Sequence, residues 1–147
     1  MTAAAGPARV EKMVEVLRQW QGIERQAMTD MAEIMEETKN PLIRLIMEII
    51  RHDSLMHHRV QQFLVDCVTK QDVALTREDV AEIWEKIQAH DEVEKKTIRL
   101  AQELRDEAWS PVHKQLLDYL LADESKHDRL LEQLEQVKQG MSRSSGG

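Results

Sequence analysis

The chain has 147 residues, of which 32% are charged, and it contains only 5 Gly, 3 Pro, one Phe and one Tyr. This composition is typical of one helical domain, because sheets are rich in aromatic and β-branched residues. The formal charge of −7 argues against a nucleic-acid surface, which needs a concentrated basic patch. One cysteine, Cys67, cannot form an internal disulfide, and no apolar run is long enough to span a membrane. We therefore expect a soluble, cytoplasmic protein that binds neither nucleic acid nor membrane.

Apolar residues at helical spacing predict four helices, at about residues 8–38, 41–70, 77–108 and 111–139. Pro41 and Pro111 fit the first turn of the second and fourth helices, since proline there loses no intrahelical hydrogen bond. Thr76 and Asp79 resemble a capping box at the start of the third helix. The Gly- and Ser-rich tail, residues 140–147, is expected to be disordered.

Short connections between the four long helices predict a helical bundle. The link between the second and third helices reaches only roughly 20 Å when extended. That distance is too short to return along a helix of about 45 Å, so consecutive helices should run antiparallel. The sequence therefore predicts one all-α domain, residues 1–139, folded as an antiparallel up-down-up-down four-helix bundle.

Polar residues interrupt the apolar stripe of every predicted helix. On the fourth helix Glu124 and His127 lie three residues apart, and therefore on one face. The first three helices contribute Glu24, Asp53, His57 and Glu94, with His90 as a further candidate. Residues at equal distances from an antiparallel turn lie side by side, so these groups should fall in one slab about two turns thick.

Three interpretations of this polar slab are open. A single glutamate on an apolar stripe is often an error of helical phase or a side chain that reaches solvent. A buried salt-bridge network would need cations, and the slab contains no lysine or arginine. Carboxylates gathered at low dielectric are unfavourable unless they are protonated or neutralised, and a bound divalent cation neutralises them directly. Carboxylate and imidazole ligands suit iron, manganese or zinc.

The segment Ala122–His127 resembles the Glu-x-x-His motif of the ferritin-like superfamily, of the rubrerythrin and ferritin type. The resemblance extends to a lone glutamate on each of the first and third helices. It implies a ferritin-like bundle in which Glu24 and Glu94 are terminal ligands and His57 and His127 each hold one metal ion. Ser54 departs from the motif of the second helix, where the family has a bridging glutamate. The bridge would then come from Glu124 or from the shorter carboxylate of Asp53, the remaining metal ligand that we predict.

In this family such a centre holds two iron ions, so the resemblance implies ferroxidase activity or another reaction with oxygen or peroxide. Manganese or zinc is the alternative metal, and a separate protein would donate electrons. A second hypothesis is a non-catalytic adaptor or assembly subunit whose metal site is degenerate or empty, and Ser54 is the feature that favours it. A third is a homo-oligomer, because methionines and isoleucines lie at or beside the main stripes: Met28, Met35, Ile43, Met47 and Ile50.

Overall fold

The computed structural model describes residues 6–71 and 73–144, with side chains as far as residue 140, and these residues are helical without any strand. They form five helices: α1 (Pro7–Glu37), α2 (Pro41–Thr69), α3 (Arg77–Ala81), α4 (Trp84–Glu107) and α5 (Pro111–Ser144). The chain divides into two units, residues 1–73 and 74–147. We call them hairpin 1, which contains α1 and α2, and hairpin 2, which contains α3, α4 and α5. Within the described ranges, no helix is long and apolar enough to cross a membrane.

Local capping signals set the helix starts. The side chain of Asn40 accepts hydrogen bonds from two backbone N–H groups in the first turn of α2, at 2.9 and 3.2 Å, and Pro41 begins that helix. The predicted capping box before α3 is confirmed, since the Thr76 and Asp79 side chains each accept from the other residue's backbone N–H. Pro111 begins α5, as predicted.

Two predicted helix limits are wrong. The predicted third helix, residues 77–108, is interrupted after Ala81, where a turn at residues 82–83 separates α3 from α4. The last helix does not end before Gly140, because α5 continues to Ser144. Glycine ends a helix by adopting a positive φ, and no described glycine has one. The rest of the predicted tail, residues 145–147, lies outside the described residues.

The seam between α1 and α2 is narrow and polar at its centre. Its buried residues are separated by three, four or seven positions: Leu17, Gln21 and Glu24 on α1, with Ser54, Gln61 and Val65 on α2. This is the spacing of a two-helix coiled-coil seam. Amide side chains fill part of it, and the Gln21 amide N–H donates to Gln62 at 3.0 Å.

Several apolar residues at helical spacing in hairpin 1 are exposed. Trp20 on α1 and Phe63 on α2 are 50% and 53% exposed. Other exposed members of these predicted stripes are Met13, Ile34, Leu45, Met56 and Val60. When two helices pair, each buries only the stripe of residues that faces the other helix. The exposed apolar residues lie further round each helix.

Hairpin 2 is built in the same way, with α4 packed against α5 and the short α3 against α5. Glu94 and Ala101 are buried on α4, and Val80 is buried on α3. Leu104 on α4 and Leu120 on α5 are exposed. Each hairpin therefore carries a second apolar face beside its seam, and the four-helix bundle stays a prediction.

Candidate metal centre

Hairpin 2 brings three of the predicted ligands together. One donor atom from each of Glu94, Glu124 and His127 lies within 4.8 Å of the others. Nδ1 of His127 is 3.7 Å from Oε1 of Glu94 and 3.7 Å from Oε2 of Glu124. Both distances are too long for a hydrogen bond. Two ligands that each lie about 2.1 Å from one ion are roughly 3.0–3.4 Å apart, so each of these two pairs needs a shift of only a few tenths of an ångström to hold an ion.

The antiparallel pairing of α4 and α5 explains why these groups meet. Glu124 and His127 share a face of α5 because they are three residues apart. An ion pair between Arg105 Nε and Asp118 Oδ1, at 2.8 Å, joins the same two helices nearer their turn. With the helices paired there, Glu94 on α4 falls opposite the two α5 donors.

Glu94 carries the strongest sign of a missing partner. Its side chain is only 9% exposed, and its Oε1 accepts a hydrogen bond from His90 Nε2 at 2.8 Å. When both glutamates are ionised, its buried Oε2 has no hydrogen-bond partner among the described residues. A buried carboxylate oxygen left unpaired is destabilising, and a cation is the partner that removes this penalty. The donor set therefore fits a divalent metal ion.

The two glutamates act on each other's protonation. A proton shared between their carboxyl groups lowers the pKa of Glu94 from its usual value and raises the pKa of Glu124. Burial raises the pKa of both groups, while His90 and His127 favour the charged form of Glu94. One of the two carboxyl groups thus retains a proton more readily than an isolated glutamate does, and a cation bound between them would displace it.

Asp123 orients the histidine from outside the donor set. Its Oδ2 lies 3.4 Å from Nε2 of His127, one helical turn away on α5. A proton held on Nε2 leaves the lone pair on Nδ1, which faces Glu94 and Glu124. Carboxylates commonly orient metal-binding histidines in this way. Asp123 is therefore a positioning residue that we did not predict from the sequence.

A second acidic pair lies beside the donors, between α4 and α5. Asp91 and Asp128 share a proton, which together with burial raises the pKa of Asp128 to about 6 and lowers the pKa of Asp91. Lys95 Nζ balances part of this charge at 3.2 Å from Asp91 Oδ2. The pair increases the negative charge around the three donors.

Hairpin 1 brings together two of its three predicted ligands. Nδ1 of His57 donates to Oε1 of Glu24 at 3.3 Å, and the Glu24 side chain is 9% exposed. Asp53 is half-buried, but within the described residues it does not form a group of three donors with this pair. The prediction that Asp53 replaces the missing glutamate is therefore not supported by the geometry of hairpin 1.

Comparison of the chain with models of protein families, with curated proteins and with solved structures finds no match. The resemblance to the ferritin-like superfamily therefore depends on the sequence motif and the donor geometry alone.

Proposed function

We propose that this protein is a metal-binding helical bundle whose centre holds a redox-active transition metal, with iron the expected metal and manganese the alternative. The observation that carries the proposal is the group formed by Glu94, Glu124 and His127, in which a buried oxygen of Glu94 lacks a partner. Two carboxylates and one imidazole are a donor set that suits these metals. The Asp123 contact adds the usual support for a ligating histidine.

We also infer that the two hairpins pack face to face as an antiparallel four-helix bundle of the ferritin-like type. Glu24 and His57 each lie about 16 residues from the α1–α2 turn, and Glu94 and His127 lie about as far from the α4–α5 turn. At 1.5 Å per residue this is roughly 24 Å in both hairpins, so packing would set the two polar groups at one height. The exposed apolar face of each hairpin supports such packing, because it provides a surface that gains free energy on burial.

The residues have distinct roles in this proposal. The bound metal would supply one-electron chemistry towards oxygen or peroxide, including oxidation of Fe(II). Glu94, Glu124 and His127 hold the ion, while Asp123 keeps the Nδ1 lone pair of His127 directed at it. The proton shared by the two glutamates leaves when the ion binds. One cysteine cannot build a cysteine-ligated iron centre in this chain, so any electrons required would come from a separate donor protein.

Metal analysis of the full-length protein tests this function. The purified chain is loaded with Fe(II) without oxygen, freed of excess metal and analysed for iron per chain, and oxygen consumption is then followed in air. We expect retained iron in the wild type and its loss from the Glu124→Ala, His127→Ala double variant. Glu135→Ala, which removes a carboxylate elsewhere on α5, should retain iron. A wild-type chain that retains no iron, manganese or zinc after loading contradicts the proposal.

The second candidate is the non-catalytic adaptor or assembly subunit, and Ser54 is the observation that favours it. Ser54 is buried in the seam of hairpin 1 and carries no charge to offer a cation. If the protein retains metal but consumes no oxygen or peroxide, this candidate replaces the redox function.

A further inference from the structure

The two hairpins are related by a shift of 70 residues along the chain. This spacing separates Pro41 from Pro111, which begin α2 and α5. It also separates the polar residues of the two hairpins, pairing Glu24 with Glu94, Asp53 with Asp123 and His57 with His127. Glu24 and Glu94 are buried to the same extent, with side chains that are each 9% exposed. The hairpins therefore carry equivalent half-sites that can be compared residue by residue.

The comparison shows one missing donor in hairpin 1. The residue equivalent to Glu124 is Ser54, which is 6% exposed. A neutral serine hydroxyl cannot replace a carboxylate that carries negative charge to a cation. Hairpin 1 is left with Glu24 and His57, which already contact each other at 3.3 Å, whereas hairpin 2 has three donors and an unpaired oxygen on Glu94.

The residues around the two half-sites also differ in charge, and the surroundings of hairpin 1 are again the less negative. The equivalents of Asp91 and Asp128 in hairpin 1 are Gln21 and His58, so two carboxylates are replaced by neutral or basic groups. Arg25 Nη1 lies 3.1 Å from His58 Nε2.

A second guanidinium, that of Arg18, donates from Nη1 to Gln21 Oε1 at 2.9 Å and to Gln62 Oε1 at 2.8 Å. In hairpin 2 the equivalent of Arg25 is Lys95, and its ammonium pairs with Asp91. A second ammonium, that of Lys126, lies 2.8 Å from Asp123 Oδ1. Cations near a half-site oppose binding of a metal ion, and carboxylates favour it.

We propose that the protein binds one metal ion per chain, on hairpin 2, and that Ser54 is the reason why hairpin 1 holds no ion of its own. This inference depends on the proposed metal-binding function and departs from the two-ion centre that the family resemblance implies. Glu24 and His57 then pair with each other, at 3.3 Å.

Stoichiometry in the full-length protein tests the inference. Mn(II) is titrated into the metal-free chain by isothermal calorimetry, and Fe(II) retained after anaerobic loading is measured by elemental analysis. We expect one ion per chain in the wild type and two in Ser54→Glu, which restores the equivalent of Glu124. Ser54→Asp is the shorter alternative if Ser54→Glu does not fold, and Ser54→Ala, which adds no donor, should still bind one ion.

A matched pair of variants locates the ion. Glu94→Gln should weaken Mn(II) binding at least tenfold more than Glu24→Gln, although both remove one equally buried carboxylate charge. Two ions per wild-type chain, or equal losses from Glu24→Gln and Glu94→Gln, overturn the inference and leave the metal-binding function intact. A folded Ser54→Glu and a folded Ser54→Asp that both bind only one ion overturn the role given to Ser54. No binding in the wild type overturns the function itself.

Discussion

Asp123 is the residue whose role is most easily separated from metal ligation, because it contacts the imidazole of His127 rather than the ion site. Asp123→Asn keeps the side-chain size but removes the charge that holds the proton on Nε2. We expect a loss of metal affinity of about 10–100-fold with little change in stability, as is typical of carboxylates that orient a ligand. Calorimetric titration with Mn(II) measures this loss.

Asp53→Asn is the matched control, since Asp53 occupies the equivalent position in hairpin 1, four residues before His57. If one ion binds on hairpin 2, Asp53→Asn should change the affinity far less than Asp123→Asn. Similar losses from both variants would contradict a positioning role for Asp123 that is specific to the occupied half-site.

The donors themselves could be predicted from the sequence, but their supporting contacts could not. Glu124 and His127 are visible because a three-residue spacing puts two polar groups on one apolar stripe. Asp123 lies one residue before that motif, and no pattern within the last helix marks it as a contact of His127. The shift of 70 residues, which pairs Asp123 with Asp53, is the sequence feature that could have indicated it. Asp53 stays a predicted ligand, because its position on a stripe does not fix where its short side chain reaches.

At the scale of helices, the seam between α4 and α5 contains a protonation-dependent contact. Asp128 has a pKa of about 6 in the folded protein, against a usual value of 3.8, because it shares a proton with Asp91. Between these pH values the folded state binds more protons than the unfolded state. The free energy of unfolding should therefore fall as pH rises from about 4 to about 6 and stay lower above that range.

Asp128→Asn tests this dependence in the metal-free protein, with a chelator present. Asparagine can donate a hydrogen bond to Asp91 at every pH, so the free energy of unfolding of the variant should not show the decrease with pH that Asp128 causes. At pH 7.5 it should exceed the wild-type value by roughly 1 kcal/mol, after allowance for solvent screening. Urea unfolding between pH 4 and 8 measures the difference. Glu135→Gln on the same helix should follow the wild-type profile, and an Asp128→Asn profile parallel to the wild type would contradict the shared proton.

Helix ends were predicted well where a side chain or a proline sets the cap, and poorly where the backbone alone decides. Pro41, Pro111 and the Thr76/Asp79 capping box mark true helix starts. The break after Ala81 has no proline or glycine to announce it. Gly140 lies within α5, because glycine permits a helix end without requiring one.

At the scale of the whole molecule, the sequence predicted the helical class and the long helices but not which stripe each hairpin buries. Apolar residues cover a wide arc of α1 and α2, and periodicity alone cannot tell which part of the arc faces the nearest helix. The structure places the buried seam at one margin of that arc, through Glu24 and Ser54, and leaves Trp20 and Val60 exposed. In both helices of hairpin 1 the exposed part is displaced from the seam in the same rotational sense. Because the helices are antiparallel, these parts lie on one side of the hairpin.

A single continuous apolar face of this kind is best explained by burial in the proposed bundle, and paired substitutions on α2 test it. Val60 and Leu55 are similarly exposed, at 54% and 45%, but five residues of helix set them on different sides of α2. If this face is buried as proposed, Val60→Glu places a charge in an apolar interior and should lower the free energy of unfolding by more than about 2 kcal/mol. Leu55→Glu should stay within about 0.5 kcal/mol of the wild type. Urea unfolding of the metal-free chain measures both.

Sedimentation at two protein concentrations then identifies what covers the face. A monomer in which only Val60→Glu is strongly destabilised supports packing of the two hairpins within one chain. Destabilisation that depends on protein concentration indicates a second copy on the same face, because association stabilises the folded state by mass action. Equal and small effects of Val60→Glu and Leu55→Glu would mean that the face stays in water.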